Sequence, residues 1–462
     1  MSQYEREKNI LSLPEIGTSI SEALEESFFS EGAWPERTWW TYYQSNELNS
    51  LIEKSLENNP TIQAVRERIE LAKSQAVVSR SKLLPLVYFN ADDQWQYLSK
   101  NGLYRALNPD IGLSNSDIDF SLSFSYEFDF WGKYRNLYQA ALGYERAALA
   151  ESAQVELITS TSLAQAYFAL KTNLIRKNLY QQLYAIRKSY FQLEEKMRAK
   201  SLYSKLEPLL SEQKVLEAQQ WLYQIEKEIA VGKHTVNILA GQGPDEYLSL
   251  DESLLELPSQ LSIPSHISME LVSRRPDLMA QIWRMDALAY EVGAEKANFW
   301  PNINLAGLLG FESGSWSNLF EWVSKTVGIL PSLKLPVYTA GEIGAKVDGK
   351  KALFNQAVYQ YNELILKSFQ EVTDLISIGR SVYGEKEQQR QIVSSALTRY
   401  ELIQLRNKKG IDSAFVVYQF LEELIQKKLE DVQLLYQKYL VSISLTKALG
   451  GGYLCSGDVP NE

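Results

Sequence analysis

The chain holds a single cysteine, Cys455, in 462 residues, which excludes an intrachain disulfide and a cysteine metal cluster. Its two histidines, His234 and His266, stand far apart, so neither a histidine metal cluster nor a Ser-His-Asp triad has support. No stretch approaches the roughly 18 consecutive apolar residues of a membrane-spanning helix, and any membrane span is left to a β-barrel. A phosphate loop is missing as well: Gly450-Gly451-Gly452 has no following lysine or helix start. The net charge of −10 argues against nucleic acid, whose phosphates require clustered Lys and Arg. Near the start, Glu5, Arg6, Glu7 and Lys8 stand where a signal peptide has its apolar core, so either the export signal is missing from this sequence or the chain is cytosolic. No catalytic group, cofactor site or metal site is expected.

What is present is a pattern written twice. Asn59-Pro60 precedes a helical stretch ending near Leu84-Pro85, and Arg275-Pro276 precedes another ending near Trp300-Pro301, the prolines standing 25 positions apart in both. Further on, Gly132, Ser201 and Gly241 match Gly341, Gly410 and Gly450 at a constant shift of 209. This reads as duplication. The expected organisation is an N-terminal extended segment (1–45), a first repeat (46–242) with a β-hairpin at 86–130 and a long helical hairpin at 133–241, and a linker (243–265) marked by Pro244, Pro258 and Pro264. A second repeat (266–453) follows, with a hairpin at 303–338 and a helical hairpin at 341–449, then a tail (454–462).

Between Phe120 and Phe130 the residues alternate: Phe120, Leu122, Phe124, Tyr126, Phe128 and Phe130 on one face, serines, Glu127 and Asp129 on the other. The length suits the roughly 9–11 residues of a tilted membrane strand, yet for this strand alone a soluble sandwich with the aromatic face inward is the favoured reading. Leu86–Leu98, Ile303–Phe311 and Val327–Val337 are the candidate partners, too few strands to close a membrane barrel within one chain. Trp95, Tyr97, Trp316 and Trp322 fall near the strand ends, as an interfacial belt or as ordinary loop packing.

Between Lys133 and about Ala199 there is no proline and only Gly143, and the stretch from Glu342 to about Lys408 behaves alike. At 1.5 Å per residue each helix extends on the order of 100 Å. Hairpins of that length need neighbours to cover their apolar stripes, and by themselves they suit an elongated, soluble coiled-coil scaffold.

Lys447-Ala448-Leu449-Gly450-Gly451-Gly452-Tyr453, with Trp39-Trp40, Asn59-Pro60, Asp129-Phe130-Trp131-Gly132, Arg274-Arg275-Pro276-Asp277 and Leu335-Pro336 before Gly341, resembles the TolC-like outer-membrane efflux family, in particular its NodT-type branch. The resemblance runs from about Trp34 to Tyr453. It implies a mainly α fold with a small β part, in which long helical hairpins form a periplasmic α-barrel and three subunits pool their strands into a twelve-stranded outer-membrane barrel. It further implies a passive, non-enzymatic exit duct of a tripartite efflux system. Its partners would be a periplasmic adaptor and an inner-membrane resistance-nodulation-division transporter, or an ABC exporter if the duct serves type I protein secretion.

In the family, rings of side chains close the tunnel at the helix tips. By position the gate falls to Arg406, Phe415, Gln419 and Glu207, with Gln419 and Glu207 standing where aspartate is common, and the adaptor-contacting tips to Ser201, Leu202, Gly410 and Ile411. Arg406 is expected to pair with Glu194, Glu195 or Glu207 of the other hairpin. Five methionines and two histidines offer no relay for copper or silver, which favours drugs or other organic molecules as cargo. The branch usually begins with a lipidated cysteine behind a signal peptide; this sequence shows neither, and a trimmed or misplaced start is the expectation.

Overall fold

The computed structural model describes residues 10–454 apart from 15–16, 201, 203, 249, 252–256, 258–259, 265–266 and 268–269. Ser201, Pro258, His266, Cys455 and the terminal stretches 1–9 and 455–462 lie outside the described residues.

Local chemistry places the helix starts. After α1 (Gly17–Leu24), β1 (Phe29–Glu31) and a 3-10 turn (Trp39–Tyr43), α2 (Asn46–Asn58) begins where the Ser45 hydroxyl accepts the Leu48 N–H at 3.3 Å. It stops at Asn59, which Pro60 drives into the extended region. The same proline opens α3 (Pro60–Ser81), where Asn59 Oδ1 accepts the Thr61 N–H at 2.9 Å. Then follow β2 (Leu86–Tyr97), α4 (Leu103–Leu107), β3 (Ser114–Phe128), α5 (Lys133–Ala199) and α6 (Leu206–Leu239). The second half has β4 (Leu261–Ile263), α7 (Glu270–Arg274), α8 (Pro276–Ala297), β5 (Asn302–Ser313), β6 (Lys325–Lys334), α9 (Glu342–Lys408) and α10 (Ala414–Ala448).

The fold is mainly α with a smaller β part, and the two long helices, 67 residues each, have the expected limits. Three expectations are corrected. The N-terminal segment is not simply extended: it carries α1 and the 3-10 turn, and its short β1 pairs in parallel with β4 of the linker. Strand β3 starts six residues before Phe120 and ends at Phe128, leaving Phe130 in a turn. Strand β6 stops at Lys334, so Leu335 and Val337 lie beyond it, around Pro336, which has no N–H to give to a ladder.

The chain divides into two compact units that cut across the sequence repeats. One takes Ile69–Ala148 and Gln281–Gln360, and with them the antiparallel sheet of order β2-β3-β5-β6. Within it Asp129 explains its motif: its carboxylate accepts the N–H groups of Tyr134 (3.0 Å) and Arg135 (2.9 Å), capping α5, while Gly132 adopts a φ of +75° to turn the chain. Gly143 lets α5 approach α8, since a Cβ there would lie 2.9 Å from that of Ala287. Trp131 stacks on Trp300 at 5.0 Å.

The other unit takes Leu11–Arg68, Leu149–Ala280 and the chain from Tyr361. Its core gathers Trp39, Trp40, Tyr43, Leu48 and Ile52 with Leu163, Tyr167, Phe168, Ile225, Tyr439 and Ile443. Phe168 stacks on Tyr439 at 3.9 Å, and the Tyr43 hydroxyl meets that of Ser442 at 2.9 Å. Arg275, of the Arg-Arg-Pro-Asp motif, is buried and grips both oxygens of Asp277, Glu371 of α9 at 2.9 Å and the Ala448 carbonyl at 3.0 Å. Burial opposes its charge, but the two carboxylates outweigh that and hold its pKa above the ordinary arginine value.

Candidate functional site

Strand register turns the alternation of one strand into a two-faced sheet. On one face Val87, Phe124, Gly307 and Ile329 lie in a row across the strands, next to rows Phe89, Leu122, Leu309, Val327 and Ala91, Phe120, Phe311, Lys325. Toward the helices this face continues with Tyr126, Leu305, Pro331 and with Phe128, Ile303, Leu333. The Phe124 ring covers Gly307, where a Cβ would collide with it. Five of the six expected face residues thus share one surface; the sixth, Phe130, stacks on Phe128 at 5.6 Å from the turn. Much of this surface is bare: Ile329 is 71% exposed and Phe89 65%. An apolar surface of this extent marks contact with something other than water.

The opposite face is graded. Nearest the helices, above Glu127, Asn304 and Ser332, it carries Leu86, Ser125, Ala306 and Leu330, then Tyr88, Ser123, Leu308 and Gly328, then Asn90, Ser121, Gly310 and Thr326. Toward the loops Asp92, Asp119 and Glu312 stand directly opposite one another on three adjacent strands. The Ser121 hydroxyl donates to Asp119 at 2.7 Å. Like charges in register weaken a sheet, so this row opposes folding rather than assisting it. It was not legible in the sequence, because Asp92, Asp119 and Glu312 become neighbours only once the register is set.

The sheet has two open edges, β2 and β6. Each presents unpaired backbone N–H and C=O groups. Pro331, in β6, belongs on such an edge.

At the second helical tip, Gly410 takes a φ of +73° and the Ile411 N–H reaches back to the Arg406 carbonyl at 3.0 Å, a Schellman turn. Arg406 pairs with Asp412 of its own turn at 2.7 Å, correcting the expected pairing with Glu194, Glu195 or Glu207. The turn brings Asp412 within reach at no further ordering cost, whereas Glu195 is held by Arg198. Phe415 sets its ring edge-on against Tyr190 of α5 at 5.2 Å, and Gln419 is exposed, as are Gly410 and Ile411. At the first tip Leu202 is exposed and its N–H bonds to the Met197 carbonyl at 3.0 Å. Glu207 accepts the Ser204 hydroxyl, which holds its carboxyl below the usual value.

A further link was missed. Arg187, on α5 and buried, donates to Glu422 of α10 at 2.8 and 3.0 Å and to the Lys214 carbonyl of α6 at 2.9 Å, while its guanidinium lies 4.8 Å from the Trp221 ring. It joins three helices, and nothing in the local sequence distinguishes it from a surface arginine.

A family model described as outer membrane efflux protein matches residues 51–236 and 267–451. The putative multidrug resistance outer membrane protein MdtQ of Shigella flexneri is 27% identical over 95% of this chain and 91% of its own length. The multidrug resistance outer membrane protein MdtP of Escherichia coli is 25% identical over 92% and 88%. Among solved structures, the outer membrane protein VceC of Vibrio cholerae superposes with a TM-score of 0.81 at 27% identity, over 91% of this chain and all of that one. The CmeC outer membrane channel of Campylobacter jejuni superposes with a TM-score of 0.87 at 21% identity, over 97% and 95%.

Proposed function

We propose, from the premise that this chain belongs to the outer membrane efflux protein family, that three copies join their four-stranded sheets edge to edge into one twelve-stranded barrel. The chain is an efflux exit duct of the outer membrane, with its helical part in the periplasm. The observation that carries the assembly is the sheet itself: an apolar face that one copy leaves bare, bounded by two unpaired edges. Because the four strands alternate in direction, β6 of one copy meets β2 of the next antiparallel, and closure removes every edge. The apolar face, with Phe120, Leu122, Phe124, Tyr126 and Phe128, then meets lipid, and the graded face lines the lumen.

The helix tips form the closed end in this reading. Arg406, Phe415, Gln419 and Glu207 gate it, and Ser201, Leu202, Gly410 and Ile411 receive a periplasmic adaptor that links the duct to a resistance-nodulation-division pump. The names of the relatives favour drugs and other small organic molecules as cargo. The duplication reading is supported by the two separate stretches matched by the family model.

Single-channel recording of the purified trimer in a planar bilayer tests this. Small conductance steps that grow in a Phe415→Ala, Gln419→Ala variant are expected. A well-folded trimer that stays silent in both forms would remove the duct, and unchanged steps would remove these two residues from the gate.

A further inference from the structure

The loop 314–324 joins β5 to β6 at the sheet end away from α8 and α9. With the helices in the periplasm, this end faces the exterior. The loop is well pinned: Leu319 is fully buried, the Ser324 hydroxyl donates to the Asn318 carbonyl at 2.8 Å, and the Ser315 N–H donates to the Ser313 hydroxyl at 3.2 Å. Despite that order it exposes large apolar groups, Phe320 by 70%, Trp322 by 75% and Val323 by 85%.

The aromatic contacts show where the loop leans. Phe320 meets Phe311 at 6.0 Å and Phe120 at 5.9 Å, and Trp316 meets Phe120 at 5.9 Å, both edge-on. Phe120 and Phe311 belong to the apolar face, so the loop leans over the end of that face, where the next row is Asp93, Ile118 and Ser313, and not over the graded one. The Trp316 indole, its ring 57% exposed, donates to Asp93 at 3.1 Å, whereas the Trp322 ring, 75% exposed, lies beside a cation. The Lys325 ammonium lies 4.2 Å from the Trp322 ring, and among the described residues it pairs with no carboxylate. An exposed cation held beside bare apolar groups, at the rim of a lipid-facing wall, has the composition of a lipid headgroup contact.

Resting on the barrel reading above, we propose that the β5–β6 loop is a docking site for a phosphate-bearing lipid of the outer leaflet. Phe320 and Val323 enter its acyl region, and Lys325, steadied by Trp322, binds its phosphate.

The test uses full-length trimer in phosphatidylcholine vesicles with and without lipid A. In a Cys455→Ser background, Val323→Cys and, separately, Leu122→Cys carry an environment-sensitive fluorophore, read by quenching with nitroxide lipids labelled at shallow and deep acyl positions and with aqueous iodide. The Val323 probe is expected to respond to the lipid quenchers and to be shielded from iodide. Lys325→Gln should lower lipid A retained by the trimer about fivefold per site, with Lys325→Arg restoring it. A Val323 probe open to iodide beside a Leu122 probe in lipid would overturn the docking site and leave the barrel standing. Both probes in water would overturn the barrel reading too, and equal lipid A retention by wild type and Lys325→Gln would overturn the phosphate contact.

Discussion

A methyl group at Gly450 would meet the Arg274 carbonyl oxygen at 2.0 Å, and at Gly452 it would meet the Glu36 carbonyl carbon at 2.2 Å, with the backbone at both positions at positive φ. The glycines of the C-terminal motif therefore serve close passage of the chain and not anion binding. Gly450→Ala is expected to lower the melting temperature of the trimer, through about 1–3 kcal/mol of backbone strain plus the clash. Gly344→Ala, in open space within α9, should leave stability unchanged or raise it by up to about 1 kcal/mol, and circular dichroism melts compare the two. Glu47 supplies a pH dependence. Burial raises its pKa, but the Asp251 N–H (2.8 Å), the Tyr167 hydroxyl (2.8 Å) and Lys171 (3.4 Å) outweigh that and leave it lowered. The contribution is complete above the unfolded carboxylate value and is lost as pH falls through the folded one. Melting temperature should accordingly drop more steeply between about pH 5 and pH 3 in the wild type than in Glu47→Gln.

At the scale of elements, the two 67-residue helices have predictable limits, yet what ties them to their neighbours is sparse and specific. Removing Arg187 alone leaves Glu422 partly buried and unmatched, so Arg187→Met should destabilise by about 3 kcal/mol, and Arg187→Met with Glu422→Leu should recover much of it. A double-mutant cycle on thermal unfolding measures the coupling, and simple additivity would dismiss the clasp. The carboxylate row on the sheet behaves in the opposite way. Replacing Asp92, Asp119 and Glu312 by their amides should stabilise the sheet by a few tenths of a kcal/mol per relieved pair. The same change should move the reversal potential in a salt gradient toward zero, because the wild-type mouth would favour cations.

For the whole molecule, the bare apolar face makes the single copy an incomplete object in water. One lysine on it, Ile329→Lys, is expected to cost about 2–4 kcal/mol at mid-membrane depth and to reduce the trimer fraction on seminative gels. Leu330→Lys, at the next residue and so on the opposite, graded face, should leave that fraction near wild type. Equal loss from both would mean that the two faces do not differ in solvent.

Periodicity and punctuation alone determined much of this protein: the helix limits at Lys133 and Lys408, the proline-opened helices, the glycine turns and the alternation from Phe120 to Phe128. These are legible because they depend on backbone geometry and on residues within a few positions of each other. The family motifs extended that reading to a function. What the tertiary structure decided were contacts between residues far apart in the chain: the alignment of Asp92, Asp119 and Glu312, the Arg187 clasp, and the lean of the β5–β6 loop onto Phe120 and Phe311. Arg406 is the instructive exception, since its partner Asp412 is six residues away and still escaped the sequence reading. A turn's side-chain directions follow from its φ and ψ values, which residue spacing by itself does not supply.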